Sequence, residues 1–427
     1  MKVVVLGAGV VGTASAWYLA RAGHEVTVLD RQDAPGMETS FANGGQISVS
    51  HCEPWANPAA PLKVFGWLGR EDAPLLFRPR AERAQWLWGA RFLVECLPGR
   101  TRRNTEAAYA LALYSRDKLR ELRRDTGIAY DHLERGILHF YVDRRDFEQA
   151  KIRAGVLAAR GFDIRVVSPE ECVAIEPALR AARAMLLGGL HAPSDESGDA
   201  HLFTRALATL SSEAGVKFRH RVSVRRLDIE GGRIARVAFD DEHGIEESER
   251  ADAYVVALGS YSPLLLSPVG VPLPVYPVKG YSVTIPLEPG MQAPEVSLTD
   301  DAHKLVYSRL GNRLRVAGTA ELNGYDTDLS PARCEALLAR VRELFPSVVR
   351  AGSHEFWTGL RPATPSNLPV IGRTRYPNLF VNTGHGTLGW TLACGSGAVL
   401  ADLLSGRRPQ VAFGSTGGGF TGGGVTG

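Results

Sequence analysis

The chain contains 427 residues, of which 44% are hydrophobic and 22% charged, proportions typical of a globular protein with a large core. Its 49 Lys and Arg against 46 Asp and Glu give a formal charge of +3, which is too balanced for a nucleic-acid-binding protein, so no nucleic-acid partner is expected. The five cysteines are odd in number and far apart, which argues against a disulfide framework or a metal site and favours a reducing compartment.

The first 30 residues predict a parallel βαβ unit, with a strand at 2–6, a helix at 13–22 and a second strand at 25–30. The turn after the first strand, Gly-Ala-Gly-Val-Val-Gly, fits the dinucleotide fingerprint, in which glycines allow a tight turn, a close pyrophosphate and helix packing. Asp30 ends the second strand, where a carboxylate can accept hydrogen bonds from ribose hydroxyls, while Arg31 leaves a 2′-phosphate cofactor as the less favoured alternative. The predicted cofactor-binding residues here are Gly7, Gly9, Val10, Val11, Gly12, Asp30 and Arg31.

The middle of the chain predicts helices followed by strands. Helical patterns cover 84–122 and 200–214, and strands are predicted at 216–219, 222–229, 234–240 and 253–258. Strands at 275–286, 304–309 and 312–317 and a helix at 330–345 predict a second sheet. Between 61 and 91, aromatic and aliphatic residues are interleaved with Lys and Arg, which suits either a membrane surface or a face packed on a neighbouring domain. Packing is the favoured alternative for most of the tryptophans there.

A second glycine-rich turn lies near the end of the chain. A strand at 379–381 leads through Asn-Thr-Gly-His-Gly-Thr-Leu-Gly into a predicted helix at 391–404, so a second helix N-terminus is available to an anionic group. Such a turn could hold the distal ring of FAD, whose reduced form carries negative charge, or it could be a tight connection without a ligand. The candidate residues are Gly384, His385, Gly386, Thr387, Leu388 and Gly389.

Five blocks of sequence carry a resemblance to a known family: Gly7 to Gly12 with Asp30, Glu38 to Ser48, Lys279 to Ser282, Phe356 to Pro362 and Thr383 to Trp390. Together they resemble the FAD-dependent D-amino acid dehydrogenases, of the D-amino acid oxidase class of flavoproteins, over nearly the whole chain to about Pro409. The resemblance implies an α/β fold, α+β overall, in which a Rossmann-like FAD-binding domain is interleaved with a substrate domain built on an antiparallel sheet.

The activity that the resemblance implies is oxidative deamination of D-amino acids, typically D-alanine, to 2-oxo acids and ammonia. Hydride passes to non-covalently bound FAD, and the electrons go to a quinone or another respiratory-chain acceptor. An enzyme of the same class acting on glycine, sarcosine or hydroxyproline is the nearest alternative. A non-catalytic dinucleotide-binding protein is the alternative from a different class.

The resemblance also assigns roles to single residues. Arg361 would clamp the substrate carboxylate, Tyr281 would be a second carboxylate ligand or a lid residue, and His385 would lie beside the flavin. The loop residues Ser40, Asn43, Gly44, Gly45 and Gln46 would approach the isoalloxazine. Backbone at Val224 would meet the adenine, and Gly259 and Gly359 would lie close to the cofactor.

The domain boundaries expected on these grounds are 1–83, 196–270 and 356–409 for FAD binding and 84–195 with 271–355 for the substrate domain. Residues 410–427 are expected to be a flexible Gly-rich tail. The expected location is the cytoplasm, with peripheral attachment to the inner face of the cell membrane as an option. No metal is expected.

Overall fold

The computed structural model describes residues 1–67, 73–351 and 354–411. Most of the predicted tail at 410–427 lies outside these residues, as do Leu68 and Arg70 of the segment interpreted as a membrane or packing face.

Helices and strands alternate along the chain. The α-helices are α1 Val10–Arg21, α2 Ala60–Trp67, α3 Arg83–Glu95, α4 Pro98–Thr126, α5 Arg144–Ala159, α6 Pro169–Ile175, α7 Ala200–Glu213, α8 Ser262–Leu266, α9 Pro331–Leu344 and α10 Gly389–Leu404. The strands are β1 Lys2–Leu6, β2 Glu25–Leu29, β3 Gln46–Ile47, β4 Leu75–Phe77, β5 Ile137–Tyr141, β6 Arg165–Val167, β7 Gly188–Ala192, β8 Glu196–Ser197, β9 Lys217–Arg219, β10 Ser223–Glu230, β11 Arg233–Asp240, β12 Glu246–Glu249, β13 Ala253–Val256, β14 Tyr276–Pro286, β15 Ser297–Asp300, β16 Leu305–Leu310, β17 Arg313–Leu322, β18 Glu355–Ala363, β19 Val370–Arg373 and β20 Leu379–Thr383.

The first layer is a sheet with the strand order β19-β20-β13-β1-β2-β9, parallel except for β19. Its strands are almost continuously apolar because both faces are covered. Helices α1, α4 and α10 pack on one face, and the small sheet of β10, β11 and β12 covers the other. This arrangement confirms the predicted βαβ opening and the Rossmann-like domain.

The second layer is a larger sheet with the order β18-β14-β17-β16-β15-β5-β7-β6, to which β4 is added beside β17. Its pairs are antiparallel except for β15 with β5 and β17 with β4. Helix α9 buries its apolar face against β14 and β17 through Leu337, Leu338 and Val341. The register of β14 with β18 sets Gly280 opposite Gly359, which brings two of the predicted sequence blocks together.

Three elements belong to a different layer from most of their predicted segment. Strands β4 and β18 lie in segments expected to bind FAD but belong to the larger sheet. Helix α4 lies in a segment expected to form the substrate domain but buries Ala108 and Leu111 against the parallel sheet. The helical pattern predicted at 84–122 is also divided, because Pro98 begins a second helix. The boundaries of the domains as such stay a prediction.

Helix α10 is unusually apolar for its length. The segment Gly386–Leu404 is long and apolar enough to cross a membrane, although most of it is buried inside the protein. It packs against α1 and α4 in the core of the parallel sheet. Its composition is therefore that of a core helix.

Candidate active site

A cavity of about 1110 Å³ runs between the two large sheets. At one end it is lined by residues following the carboxyl ends of β1, β2 and β13, which is where ligands bind in open parallel sheets. At the other end it is lined by β14, β17 and β18 of the larger sheet. The cavity therefore extends from the ligand-binding edge of the parallel sheet to a wall that is formed by the larger sheet.

The N-terminus of α1 opens into this cavity at Gly9, Val10 and Val11. Gly7 has φ of +105° and lies against the Ala257 carbonyl, so a side chain is excluded there by both conformation and space. Gly12 does not line the cavity; a Cβ at Gly12 would collide with the Gly7 carbonyl, which is the packing role the fingerprint assigns to its third glycine. Apart from the Val10 N–H, which donates to Ser40 Oγ, the orphan N–H groups of the helix are thus open to an anion.

Asp30 and Arg31 both line the cavity, with different partners. Asp30 Oδ2 accepts the Ala8 N–H at 2.5 Å and Oδ1 accepts the Gln32 N–H at 2.8 Å, so the carboxylate is held in a fixed orientation. The Arg31 guanidinium pairs with Glu38 and stacks 4.0 Å from the centre of the Tyr261 ring. Because Glu38 already neutralises Arg31, this edge of the cavity fits a ribose diol better than a 2′-phosphate.

The loop predicted to approach the flavin is fixed by its own hydrogen bonds. Ser40 Oγ accepts the Val10 N–H at 3.0 Å, and Asn43 Oδ1 accepts the Gly45 N–H at 2.9 Å. The Gln46 amide donates to Thr299 Oγ1 at 3.1 Å and to Ser297 Oγ at 3.0 Å, which ties the loop to β15. These side chains line the cavity, but their hydrogen bonds hold the loop in place.

Helix α10 sends a second N-terminus into the same cavity through residues 386–391. His385 lies at this turn, 2% exposed, with Nε2 2.9 Å from Ser396 Oγ. Burial lowers the pKa of His385 to about 3, so its imidazole is neutral near pH 7. Gly384 has φ of +82° and packs on Thr364 without lining the cavity. The turn therefore offers helix N–H groups and an uncharged imidazole.

These features fit FAD. Except for Gly12 and Gly384, every residue predicted to bind the cofactor lines the one cavity, including Val224 and Gly259. The fit rests on two helix N-termini, an oriented carboxylate and glycines without room for a Cβ, all facing one space. Their individual contacts with the cofactor stay predictions.

Arg361 lies at the substrate-domain end of the cavity without a carboxylate partner among the described residues. Its Nη1 donates to the Thr319 carbonyl at 2.6 Å and its Nη2 to the Gly318 carbonyl at 3.3 Å. A Cβ at Gly280 would overlap the guanidinium, so the glycine makes the space in which this group lies. Desolvation, with a smaller contribution from Arg333, lowers the pKa of Arg361 to about 10, and it remains charged near pH 7. A desolvated cation without a counter-ion favours an anionic ligand.

Tyr281 lies in the cavity wall with its hydroxyl already bonded within the protein. Its ring lines the cavity but is only 1% exposed, and its hydroxyl donates to Glu321 Oε2 at 2.7 Å. Burial and the Glu321 carboxylate raise the pKa of this hydroxyl. Here the hydroxyl proton goes to a buried acceptor of the larger sheet, and the role of Tyr281 as a carboxylate ligand or lid residue stays a prediction.

Several cavity residues have no counterpart in the sequence prediction. Thr319 holds Arg361 from β17, and its φ of +51° is unusual for a β-branched residue. A group of polar side chains from four separate segments also lines the cavity: His51, Glu53, Tyr141, Arg153, Asp301 and Lys304. Only His51 and Glu53 could have been suspected, because they follow the predicted flavin loop directly. The others come from distant segments without a recognisable motif.

Comparison with known proteins agrees with this geometry. Residues 2–403 match the family model described as FAD dependent oxidoreductase. A D-amino acid dehydrogenase from Dechloromonas aromatica (strain RCB) is 61% identical over 413 residues, covering 97% of this chain and 99% of that protein. One from Paramagnetospirillum magneticum (strain ATCC 700264 / AMB-1) is 55% identical over 414 residues, covering 97% of each. The solved structure of glycine oxidase from Geobacillus kaustophilus, 23% identical, has a TM-score of 0.73 over 97% of this chain and 98% of that one, which supports the fold alone.

Proposed function

The chain belongs to the family of FAD-dependent oxidoreductases, and from that premise we propose that it is a D-amino acid dehydrogenase that converts D-amino acids, typically D-alanine, to 2-oxo acids and ammonia. The observation that carries the proposal is Arg361, a charged and desolvated guanidinium without a carboxylate partner among the described residues, in the cavity that fits FAD. An amino acid carboxylate supplies the missing counter-ion.

FAD supplies the two-electron chemistry when bound, as the hydride acceptor for the substrate Cα. The residues that would hold it are the N-termini of α1 and α10, Asp30, which would face the ribose, and the loop around Gly44 and Gly45. The helix N–H groups at the start of α10 would stabilise negative charge on the bound cofactor without reorganising during the reaction.

The remaining steps depend on positioning. Arg361 fixes the substrate carboxylate, and the Thr319 and Gly318 carbonyls hold the guanidinium in one orientation. Since one end of the substrate is fixed, the Cα–H bond can be kept at a single place in the cavity. The neutral His385 can donate one hydrogen bond at the flavin turn but cannot act as a cationic acid near pH 7. Water then hydrolyses the imino acid product to the 2-oxo acid and ammonia.

The direct test is an anaerobic screen of the purified holoenzyme in which loss of flavin absorbance is followed. D-alanine and other D-amino acids are expected to reduce the flavin, whereas their L-enantiomers are not. Glycine, sarcosine and hydroxyproline are included because they are the substrates of the nearest alternative. Reduction by these compounds but by no chiral D-amino acid would contradict the proposal.

We further propose that the electrons pass to a quinone and that the protein lies at the inner face of the cell membrane. Two neighbouring helices support a surface role. Leu62 and Phe65 of α2 are 81% and 77% exposed, and α3 exposes Trp86, Leu87, Leu93 and Val94. The helices are joined by packing of Ala60 on Phe92 and Cys96. Exposed apolar side chains on adjacent helices are costly in water and are stabilised at a lipid interface. All five cysteines are free thiols, which fits a reducing compartment.

The membrane proposal is tested by sedimentation with vesicles of mixed neutral and anionic phospholipid. The double variant Leu62→Ser with Phe65→Ser is expected to lose vesicle binding. The matched control, Ile229→Ser with Ile245→Ser, removes exposed apolar side chains from the small sheet and is expected to bind as the parent does. Arg78 and Arg80 are poor probes, because they are engaged with Glu321 and with Glu82. Equal binding by both double variants would refute this surface.

A further inference from the structure

The part of the cavity that is lined by His51, Glu53, Tyr141, Arg153, Asp301 and Lys304 will be called the lateral chamber. It adjoins the substrate end of the cavity through a short path. The Thr319 carbonyl that holds Arg361 belongs to a residue whose N–H donates to the Lys304 carbonyl at 3.4 Å. It adjoins the flavin loop as well, because Gln46 is bonded to Thr299, two residues before Asp301. The chamber is thus next to both reacting partners.

The polar groups of the chamber form one connected cluster. Arg153 donates to the Tyr141 hydroxyl at 2.8 Å and lies 3.9 Å from Glu53 Oε1. His51 Nδ1 is 3.6 Å from Glu53 Oε2, and Lys304 donates to Asp301 at 2.9 Å. The His51 ring also packs on the ring of His139, which does not line the cavity, with 4.7 Å between the ring centroids. Because these polar side chains line a cavity, packing of the protein core does not explain their presence.

Three buried polar atoms in and beside this cluster have no hydrogen-bond partner among the described residues. They are Glu53 Oε2, which belongs to the chamber, and Tyr109 Oη and His139 Nδ1, which do not line the cavity. Tyr109 and His139 are 5% and 2% exposed. Buried polar atoms without partners are rare in folded proteins and call for an explanation by a bound molecule or ordered water. Of the three, Glu53 lines the cavity, so its Oε2 is the atom that a polar group from outside the chain can meet in the chamber.

The chamber is close to electrically neutral. Arg153 and Lys304 balance Glu53 and Asp301. Burial lowers the pKa of His51 well below its usual value and that of His139 to about 3, so both imidazoles are uncharged. A charged ligand would have no counter-ion here. Guanidinium, ammonium and imidazole N–H groups instead offer several donors, which suits an uncharged ligand that carries carbonyl acceptors.

The chamber opens beneath α2. Lys63, Val64 and Trp67 of this helix line the cavity, while Leu62 and Phe65 on the same helix are exposed to the outside. The helix thus carries apolar side chains both on its exposed side and, beside Lys63, on its cavity side, so a hydrophobic tail can pack along it. The expected ligand is therefore amphiphilic, with a carbonyl-bearing head and an apolar tail.

We propose that the lateral chamber binds the head group of a quinone, the electron acceptor of the reaction. The proposal rests on the proposed function for the source of the electrons. The overall reaction balances as D-amino acid, quinone and water giving 2-oxo acid, ammonia and quinol. Two electrons and two protons leave the amine substrate, and two O–H bonds form on the quinone. The uncharged imidazole of His51 donates a hydrogen bond to one quinone carbonyl.

Binding is tested on the oxidised holoenzyme with decylubiquinone, using quenching of tryptophan fluorescence, because Trp55 and Trp67 line the cavity. His51→Phe removes the donor but keeps a ring of similar size. It is expected to weaken binding at least fivefold. The matched control is His243→Phe, at an exposed turn between β11 and β12, and it is expected to bind as the parent does.

The redox step is tested separately, so that it does not depend on the amino acid. The flavin is reduced with dithionite under anaerobic conditions and mixed with decylubiquinone or with ferricyanide, a small hydrophilic acceptor. His51→Phe is expected to slow reoxidation by the quinone at least fivefold and to leave the ferricyanide rate within twofold. This arm can succeed even when no D-amino acid reduces the flavin, so failure of the proposed function and failure of the chamber are distinguishable.

Three outcomes would overturn the proposal. The first is unchanged quinone binding and reoxidation in His51→Phe. The second is an equal loss with quinone and ferricyanide, which would indicate a general disturbance. The third is a raised KM for D-amino acids with unchanged quinone kinetics, which would make the chamber a pocket for the substrate side chain. Where His51→Phe retains no flavin, Tyr141→Phe is read by the same criteria, because it removes only the hydroxyl that meets Arg153.

Discussion

Replacing Arg361 should uncouple substrate capture from folding. In Arg361→Met the side chain stays long and apolar, so it can still lie against Gly280, but it offers no charge. Removing one partner of a desolvated charge pair costs about 2 to 5 kcal/mol of binding. Since about 1.4 kcal/mol is a factor of ten, kcat/KM for D-alanine should fall by roughly 30-fold to 4,000-fold. Flavin content should remain that of the parent.

Stability should move in the other direction. Lowering the pKa of Arg361 from 12.5 to about 10 corresponds to about 3 kcal/mol of desolvation cost, which the methionine does not carry. The variant loses hydrogen bonds to two backbone carbonyls, at about 1 kcal/mol each. The net result is a gain of about 1 kcal/mol in the free energy of unfolding. Residues that bind a substrate charge often destabilise the free protein in this way.

The assay is anaerobic stopped-flow reduction of the flavin over a range of D-alanine concentrations, together with urea unfolding of the same preparations. Arg361→Lys keeps the charge without the two-pronged geometry and should lose less activity than the methionine variant. Arg373→Met, at an exposed residue of β19, is the control and should behave as the parent. If Arg361→Met retained kcat/KM within fivefold of the parent, the assignment of the carboxylate site would be wrong.

Three further predictions concern the same region and its charges. Gly280→Ala should raise KM for D-alanine at least tenfold with little change in Tm, because the added Cβ displaces only the flexible end of Arg361. An unchanged KM would count against the position of Arg361 beside Gly280 as the carboxylate site. Thr319→Gly should leave Tm equal or higher, since it relieves the strain of a β-branched residue at positive φ and removes an unpartnered hydroxyl, while KM for D-alanine should rise a fewfold. A lower Tm with an unchanged KM would contradict this prediction. His139 and His385, with pKa values lowered to about 3, are neutral in the fold, so the unfolded chain takes up protons first as pH falls below about 6.5. Each should then cost about 2 kcal/mol of stability by pH 5, and urea unfolding of His139→Gln should show a shallower loss between pH 7 and pH 5 than the parent.

Local patterns predicted the elements that form the cofactor end of the site. The glycines at 7, 9 and 12 act within one turn and one helix, so their spacing alone indicates both the conformation and the anion site. The strand, turn and helix at 379–404 were predictable for the same reason. Both are short-range consequences of backbone sterics and of orphan helix N–H groups.

Roles that depend on partners from distant strands were less predictable. Tyr281 is an example: its sequence block suggested a substrate ligand, yet its hydroxyl donates to Glu321 from the neighbouring strand. The membership of β4 and β18 in the larger sheet is another, because strand pairing is set by contacts between segments that are far apart in the sequence. Nothing in either segment alone encodes its partner strand.

The sequence by itself therefore determined the kind of cofactor, the βαβ opening and the identity of Arg361 as a candidate, because each depends on residues close together or on a block typical of the family. Only the tertiary structure decided that Arg361 has no carboxylate partner among the described residues, that Gly280 makes its space and that a neutral polar chamber adjoins it. All three findings concern how far charged groups are removed from water and which groups neutralise them. Both depend on distant segments that meet around one space and exclude water from it.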